Sequence, residues 1–313
     1  MKKAVVTGCA GFIGSSLSKR LLDEEFEVVG IDCFTDNYDR KIKEKNLEKF
    51  LNHENFTFLM DHITHLDWGS LLQGTDYIFH QAAMPGVRTS WGKSFDTYVL
   101  NNIMATQVLL EAVKRNPVKK FIYASSSSIY GSTHGSTPET LIPRPLSPYG
   151  VTKLAGEQLC HLYADNYGIP TVSLRYFTVY GPGQRPDMAF HKFIHSLQFG
   201  NPIQVYGDGT QSRDFTYIDD VIEANLLAMN YPGSGEAFNI GGKSRIVLKD
   251  VIELLGKLMG VTPKINYVQK QAGDPAHTWA NIEKAKALLG YAPKISLEEG
   301  FKAEIAYVKE LYG

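Results

Sequence analysis

Two side chains that could move a proton together stand four residues apart: Tyr149 and Lys153, in Ser147-Pro148-Tyr149-Gly150-Val151-Thr152-Lys153. If this stretch opens a helix, they lie on one face, one above the other. A phenol ordinarily ionises near pH ~10. An ammonium held close favours the phenolate and makes the tyrosine a usable base near neutrality. The bland alternative is an amphipathic helix carrying an exposed lysine. Upstream, Ser125-Ser126-Ser127-Ser128 has the composition of a flexible linker. Its place after an apolar run at 120–124 argues for a site instead, because open α/β sheets bind ligands beyond the carboxyl ends of their strands. Pro138, Pro143, Pro145 and Pro148 stiffen the segment between the serines and Tyr149.

The elements that position these residues begin at the N-terminus. Ala4-Val5-Val6-Thr7 reads as a strand, Gly8-Cys9-Ala10-Gly11-Phe12-Ile13-Gly14 as a glycine turn opening a helix, and Phe26-Glu27-Val28-Val29-Gly30-Ile31-Asp32 as a second strand ending in an acid. That order is the dinucleotide-binding unit. The glycines allow close approach to a pyrophosphate, and the helix N-terminus offers free N–H groups to it. Asp32, about 20 residues on, suits the ribose hydroxyls of NAD and repels a 2′-phosphate. Glycines serving only a tight turn are the alternative. Asp61-His62-Ile63 after the third strand is a plausible adenine-edge contact, although His62 could equally be a surface histidine. Gln81-Ala82-Ala83 after the fourth supplies residues small enough for a cofactor to approach.

Strands at 120–124 and 171–175, with a long helix predicted over 94–115, continue the alternation and predict an α/β, Rossmann-type doubly wound parallel sheet. After residue 175 the pattern changes to turns, a helix at 187–199, a strand at 203–206, and helices near 248–258, 282–289 and 297–311. A strand at 237–240 could rejoin the first sheet. The expected division is 1–175 plus about 215–240 for the cofactor, and about 176–214 plus 241–313 as a smaller C-terminal α/β substrate lobe.

The 313 residues suffice for one large domain or two. Lys plus Arg total 32 and Asp plus Glu 33, so no net field draws the chain to nucleic acid or an acidic membrane. No apolar run approaches the roughly 20 residues of a membrane helix, and Gly8, Gly11 and Gly14 interrupt the faintly signal-like N-terminus. Cys9, Cys33 and Cys160 fit neither a metal-ligand pattern nor a disulfide framework. A cytoplasmic protein with no metal is expected.

Gly8-x-x-Gly11-x-x-Gly14, the serines after the fifth strand, and Tyr149-x-x-x-Lys153 together resemble the extended short-chain dehydrogenase/reductase family over nearly the whole chain. Arg175-Tyr176-Phe177-x-Val179-Tyr180-Gly181-Pro182, Gly207-Asp208-Gly209-x-x-x-Arg213-Asp214-Phe215 and Leu289-Gly290-Tyr291-x-Pro293 are similar to features of its sugar-nucleotide enzymes. Thr178, Arg185-Pro186-Asp187-Met188-Ala189, Gly273-Asp274 and Thr278-Trp279-Ala280-Asn281-Ile282 resemble the UDP-glucuronic acid 4-epimerases, with Asn281 where many relatives have Asp. Ser127 and Ser128 stand where related dehydratases carry Asp and Glu, and Ser128 also where the UDP-glucuronate decarboxylases carry Glu.

The resemblance implies an enzyme that keeps NAD bound and inverts C4 of a UDP-hexuronic acid through a 4-keto sugar. Tyr149 would take the O4 proton as a phenolate, Lys153 would lower the tyrosine pKa and bind the nicotinamide ribose, and Ser126 would hydrogen-bond O4. Tyr176 would join the cofactor contacts. Arg185, Thr178, Ser127 and Ser128 would hold the substrate carboxylate out of the geometry that releases carbon dioxide, although Arg185 could be a surface arginine in a Gly/Pro loop. Arg213, and more weakly Arg88, would meet the diphosphate, and Val205, Tyr206 and Asp274 would complete the substrate contacts. A homodimer through helices near 94–115 and 148–167 is also implied. A neutral-sugar 4-epimerase is the nearest alternative. A decarboxylase or dehydratase lacks its acids after Ser126, and a non-catalytic NAD-sensing protein would not need the Ser/Tyr/Lys set.

Overall fold

In the computed structural model, which describes residues 1–133, 135–242, 245–270 and 273–313, the apolar runs form strands. These are β1 (Lys3–Thr7), β2 (Glu27–Ile31), β3 (Phe56–Leu59), β4 (Tyr77–His80), β5 (Lys120–Ser126), β6 (Thr171–Tyr176), β7 (Thr178–Tyr180), β8 (Ile203–Tyr206), β9 (Ser212–Tyr217), β10 (Glu236–Ile240), β11 (Arg245–Val247) and β12 (Ile265–Val268). The helices are α1 (Phe12–Asp23), α2 (Arg40–Glu48), α3 (Trp68–Leu71), α4 (Phe95–Tyr98), α5 (Ala105–Arg115), α6 (Pro148–Tyr167), α7 (Ala189–Gln198), α8 (Ile218–Met229), α9 (Leu248–Met259), α10 (Glu283–Leu289) and α11 (Leu297–Tyr312).

Seven strands make one sheet in the order β10-β6-β5-β4-β1-β2-β3, and every pairing in it is parallel. The strand at 236–240 does rejoin it, with Phe238 opposite Leu174. Successive strand residues point to opposite faces, and both faces are dry. Ala4, Val6, Phe79 and Ile122 pack on one side with Leu17 and Leu21 of α1 and Val221 of α8. Val5, Ile78, Phe121 and Tyr123 pack on the other with Leu109 of α5 and Cys160 of α6. Each Val, Leu, Ile and Phe among them contributes about 1.5–3 kcal/mol by burial. The chain fills β2 and β3 on one side of β1, then returns to start β4 on the other. The crevice at the carboxyl ends of β1 and β4 is therefore where a ligand binds in this architecture. Two smaller sheets, β11-β9-β7 and β12-β8, lie outside the seven strands.

The long helix predicted over 94–115 is interrupted. Between α4 and α5, residues Val99–Met104 form π-helical turns with Asn102 buried. Its amide donates to the Met84 carbonyl at 3.1 Å and to Thr152 Oγ1 at 2.9 Å, and its Oδ1 accepts from Met84 N at 2.7 Å. The widened turns place this amide where three bonds can be made, and such bulges recur at functional sites. The apolar spacing of 94–115 carries no sign of it.

A polar frame crosses the sheet beneath the serine run. Arg175 of β6 donates to Glu157 of α6 from Nε (3.0 Å) and Nη2 (2.6 Å), and from Nη1 to Tyr130 Oη (2.5 Å) and the Glu139 carbonyl (3.2 Å). Ser125 of β5 donates to Glu157 at 2.5 Å, and Tyr130 donates to Asn239 of β10 at 2.7 Å. Both charges are buried and their partners nearly complete, the condition under which such a pair is retained.

Candidate active site

Helix α6 begins as its sequence dictates. Ser147 caps it by accepting from Gly150 N at 3.1 Å, Pro148 occupies the first turn, and Gly168 ends it in the left-handed region at φ 68°. Tyr149 is thereby set in the first turn, with Lys153 one turn on. The turn Ser127–Ile129, capped by Ser126, packs against this start so closely that a Cβ on Gly150 would lie 2.6 Å from the Ser128 carbonyl. Ser126 Oγ accepts from Ser128 N at 3.1 Å, and its hydroxyl is close enough to Tyr149 to favour the phenolate.

Burial raises the Tyr149 phenol above its ordinary value, while the Ser126 hydrogen bond and the charge of Arg185 pull it back down. Lys153, expected to exert the same pull, lies one turn further along α6 and is itself buried. Burial takes the Lys153 ammonium down to about 7, and it lies 4.5 Å from the centre of the Tyr123 ring. Arg185 is a second cation in the cleft whose charge favours the phenolate.

Tyr149, Lys153 and Arg185 share one cleft with Gly8, Gly11, Phe12, Ile13, Asp32, Asp61, His62, Ile63, Gln81, Ala82, Ala83 and Tyr176. All but Gly14 of the residues singled out for a dinucleotide line it. Gly14 instead lets helix and turn meet: a Cβ there would lie 2.0 Å from the Gly8 carbonyl oxygen. Gly8, at φ +72°, passes so near β4 that a Cβ would be 2.8 Å from Ala82 N. Gly11 starts α1 with no side-chain cap, leaving first-turn N–H groups for an anion. Asp32 accepts from Ala10 N (3.1 Å) and Phe34 N (2.9 Å), which fixes the carboxylate at the end of β2. Thr7 ties the ends of β1 and β4 together, accepting from Ala82 N and bonded to His80 Nδ1 at 2.8 Å. The cradle and its acid fit a dinucleotide carrying a free adenosine ribose.

His62 lines this cleft, bonded to Thr64 and to Asn101 at 3.2 Å, so it is more than a surface histidine. Spacing did not flag Lys43, on a helix too polar to show an apolar stripe. Its ammonium donates to the Thr35 carbonyl at 2.6 Å and to Asn37 Oδ1 at 3.0 Å in the same cleft. Tyr38, Asn101 and Ser125 were likewise missed. Asn225 of α8, a helix not anticipated at all, donates to Tyr176 Oη, which donates to Gln81 Oε1 at 3.2 Å.

The remaining expected substrate residues divide. Thr178 opens β7, and it is partly exposed, as are Ser127 and Ser128. Arg88, Tyr206, Arg213 and Asp274 do not line the cleft but converge elsewhere. Arg88 donates to Asp274 from Nη2 at 2.5 Å, and its guanidinium lies 4.0 Å from the centre of the Tyr206 ring. Arg213, pulled down by burial, feels both Asp274 and Arg88. Val205 is a correction: strand alternation turns it into the core at 1% exposure, so only its backbone is left for a ligand. Among the described residues no group of acids, histidines and cysteines could hold a metal, and no helix is long and apolar enough to cross a membrane.

Residues 4–241 match the model of the NAD dependent epimerase/dehydratase family. The chain is 48% identical over 312 residues to the uncharacterized UDP-glucose epimerase YtcB of Bacillus subtilis (strain 168), covering 99% of each. It is 41% identical over 311 residues to the UDP-glucuronate 4-epimerase of Thermodesulfobacterium geofontis (98% of this chain, 96% of that one). Among solved structures, UDP-glucuronic acid 4-epimerase from Bacillus cereus in complex with UDP-glucuronic acid and NAD superposes with a TM-score of 0.97 at 50% identity, over 99% of this chain and 100% of that one.

Proposed function

The chain belongs to the NAD dependent epimerase/dehydratase family, and from that premise we propose that it interconverts UDP-glucuronic acid and UDP-galacturonic acid by inverting C4. The observation that most supports this is Arg185 in one cleft with Tyr149, acting on its phenol, while Ser127 and Ser128 put no carboxyl beside Ser126. NAD, the cofactor, supplies reversible oxidation at the sugar carbon when bound. The glycine turn and the first turn of α1 hold its pyrophosphate, Asp32 and Lys43 the adenosine ribose, and Lys153 the nicotinamide ribose.

Tyr149 takes the O4 proton, and Ser126 orients that oxygen as hydroxyl and then as ketone. The 4-keto sugar carries its carboxylate β to the ketone and is prone to lose carbon dioxide. Arg185, with Thr178 and the two serines, holds the carboxylate out of that alignment, because planar donors fix both oxygens. Arg213 and Arg88 take the diphosphate, with Tyr206 and Asp274 around them. We assign 1–175 with about 215–240 to the cofactor lobe and the rest to the sugar-nucleotide lobe. A homodimer is supported by exposed Leu100, Met104, Val151 and Leu162 on the 99–104 turns and α6. A reducing, cytoplasmic setting is supported by three unpaired cysteines.

Protein incubated with UDP-glucuronate and followed by NMR is expected to give UDP-galacturonate; UDP-pentose as the main product would overturn the assignment. Arg185→Ala is expected to lower kcat/KM for UDP-glucuronate about 100-fold, the cost of a lost charge-assisted pair, while UDP inhibits as before. Equal weakening of UDP would remove Arg185 from the carboxylate. Gly14→Ala is expected to cost at least about 1–3 kcal/mol, as overpacking does, and to strip NAD from the purified protein. Chromatography of the released nucleotide checks this, and full NAD content would contradict the cradle.

A further inference from the structure

Arg185 does not wait in the cleft as a bare cation. Its Nε donates to Asp187 Oδ1 and its Nη2 to Asp187 Oδ2, both at 2.9 Å. This is the side-on, two-pronged grip that guanidinium makes with carboxylate. All its hydrogen bonds recorded among the described residues go to Asp187, which leaves the end-on edge, Nη1 with the second Nη2 proton, for a ligand. The two residues are joined across a tight turn, with Met188 N bonded to the Arg185 carbonyl at 3.1 Å. Arg185 is one-fifth exposed and Asp187 nearly half, so the cation faces the cleft and the acid faces outward.

We propose that Asp187 is a built-in counter-carboxylate that moderates the preference of this site for charged over neutral UDP-hexoses. The proposal rests on the function assigned above and adds the residue that sets its selectivity. With Asp187 in place the pair carries no net charge. A hexuronate carboxylate then meets the free edge of the guanidinium with part of its attraction offset by the neighbouring acid. A neutral hexose leaves behind no unpaired, desolvated guanidinium, which would otherwise count against it. Removing the charge of Asp187 therefore acts on both sides of the comparison, strengthening the uronate and penalising the neutral sugar. Other charged or ionisable groups near the pair are Lys192 and His191, which interact with Asp187, Lys43 and Tyr149, which interact with Arg185, and Tyr38 and Tyr98, which feel both. None of them duplicates the bidentate contact.

The test is the holoenzyme carrying Asp187→Asn, and separately Asp187→Glu. The readouts are kcat/KM for UDP-glucuronate over that for UDP-glucose, and calorimetric binding of both sugars and of UDP. For Asp187→Asn the ratio is expected to rise on the order of three- to tenfold, the scale of one partly exposed ion pair. The gain should lie mainly in KM, and UDP affinity should not move. Asp187→Glu should return the ratio toward the wild-type value. A ratio that stays level or falls in Asp187→Asn overturns the proposal, since an acid that merely orients Arg185 would lose uronate binding when neutralised. If the wild-type holoenzyme leaves UDP-glucuronate unconverted, the assigned function fails instead. The paired affinities of the variant still decide the role of Asp187.

Discussion

Tyr149→Phe is expected to lower turnover of UDP-glucuronate by roughly 10²–10⁴-fold, the range for loss of a positioned acid–base group, with NAD still bound. The ring keeps its place: it meets Tyr98 edge-on with centroids 6.3 Å apart, and the cap at Ser147 is untouched. Only the oxygen that takes the O4 proton goes. Kinetics together with the nucleotide content of the denatured protein check this, and turnover near wild type would refute the phenolate role. The same phenol sets a pH dependence. Burial raises it and Arg185 lowers it, so activity should climb with pH as the phenolate fraction grows. In Arg185→Ala that limb should move to higher pH, because the cation that favoured ionisation has gone.

The second large effect falls on stability. Arg175→Ala leaves Glu157 as an uncompensated carboxylate inside the protein and deprives Tyr130 and Glu139 of their donor. Breaking a buried pair by removing one member costs about 3–5 kcal/mol, so a clear drop in Tm is expected in a thermal melt. Replacing both charges, as in Arg175→Met with Glu157→Leu, should recover part of it, because no lone charge remains. If the single variant melts with the wild type, the frame is not what holds the end of β5 to α6.

The parts of this molecule that were legible in the sequence are those where local chemistry and global fold agree. Gly8, Gly11, Gly14 and Asp32 announce a strand–turn–helix–strand unit, because only that geometry needs those residues at those distances. Tyr149 was placed by a capping serine and a proline that start a helix wherever they fall. What stayed hidden depends on partners remote in sequence. Strand β12 pairs with β8 across some 60 residues, Tyr267 opposite Val205, and nothing local foretells that ladder. Lys43 sits on a helix whose polarity masks its inward face. Lys153 has the spacing of a cation for Tyr149, but its burial and its place over the Tyr123 ring are tertiary contacts that spacing cannot report. The partnership of Arg185 with Asp187 was written two residues away, yet a carboxylate beside an arginine reads as ordinary surface until the cleft shows which side faces in.

Asn102 has one more consequence. By gripping Met84 and Thr152 together, it braces the β4 end of the cleft against the helix that carries Tyr149 and Lys153. The base and the small residues after β4 are thus tied into one hydrogen-bonded bracket. Through one amide, the wall that carries the base and the wall that carries the small residues after β4 become a single hydrogen-bonded unit, to which Thr178 and Arg185 do not belong.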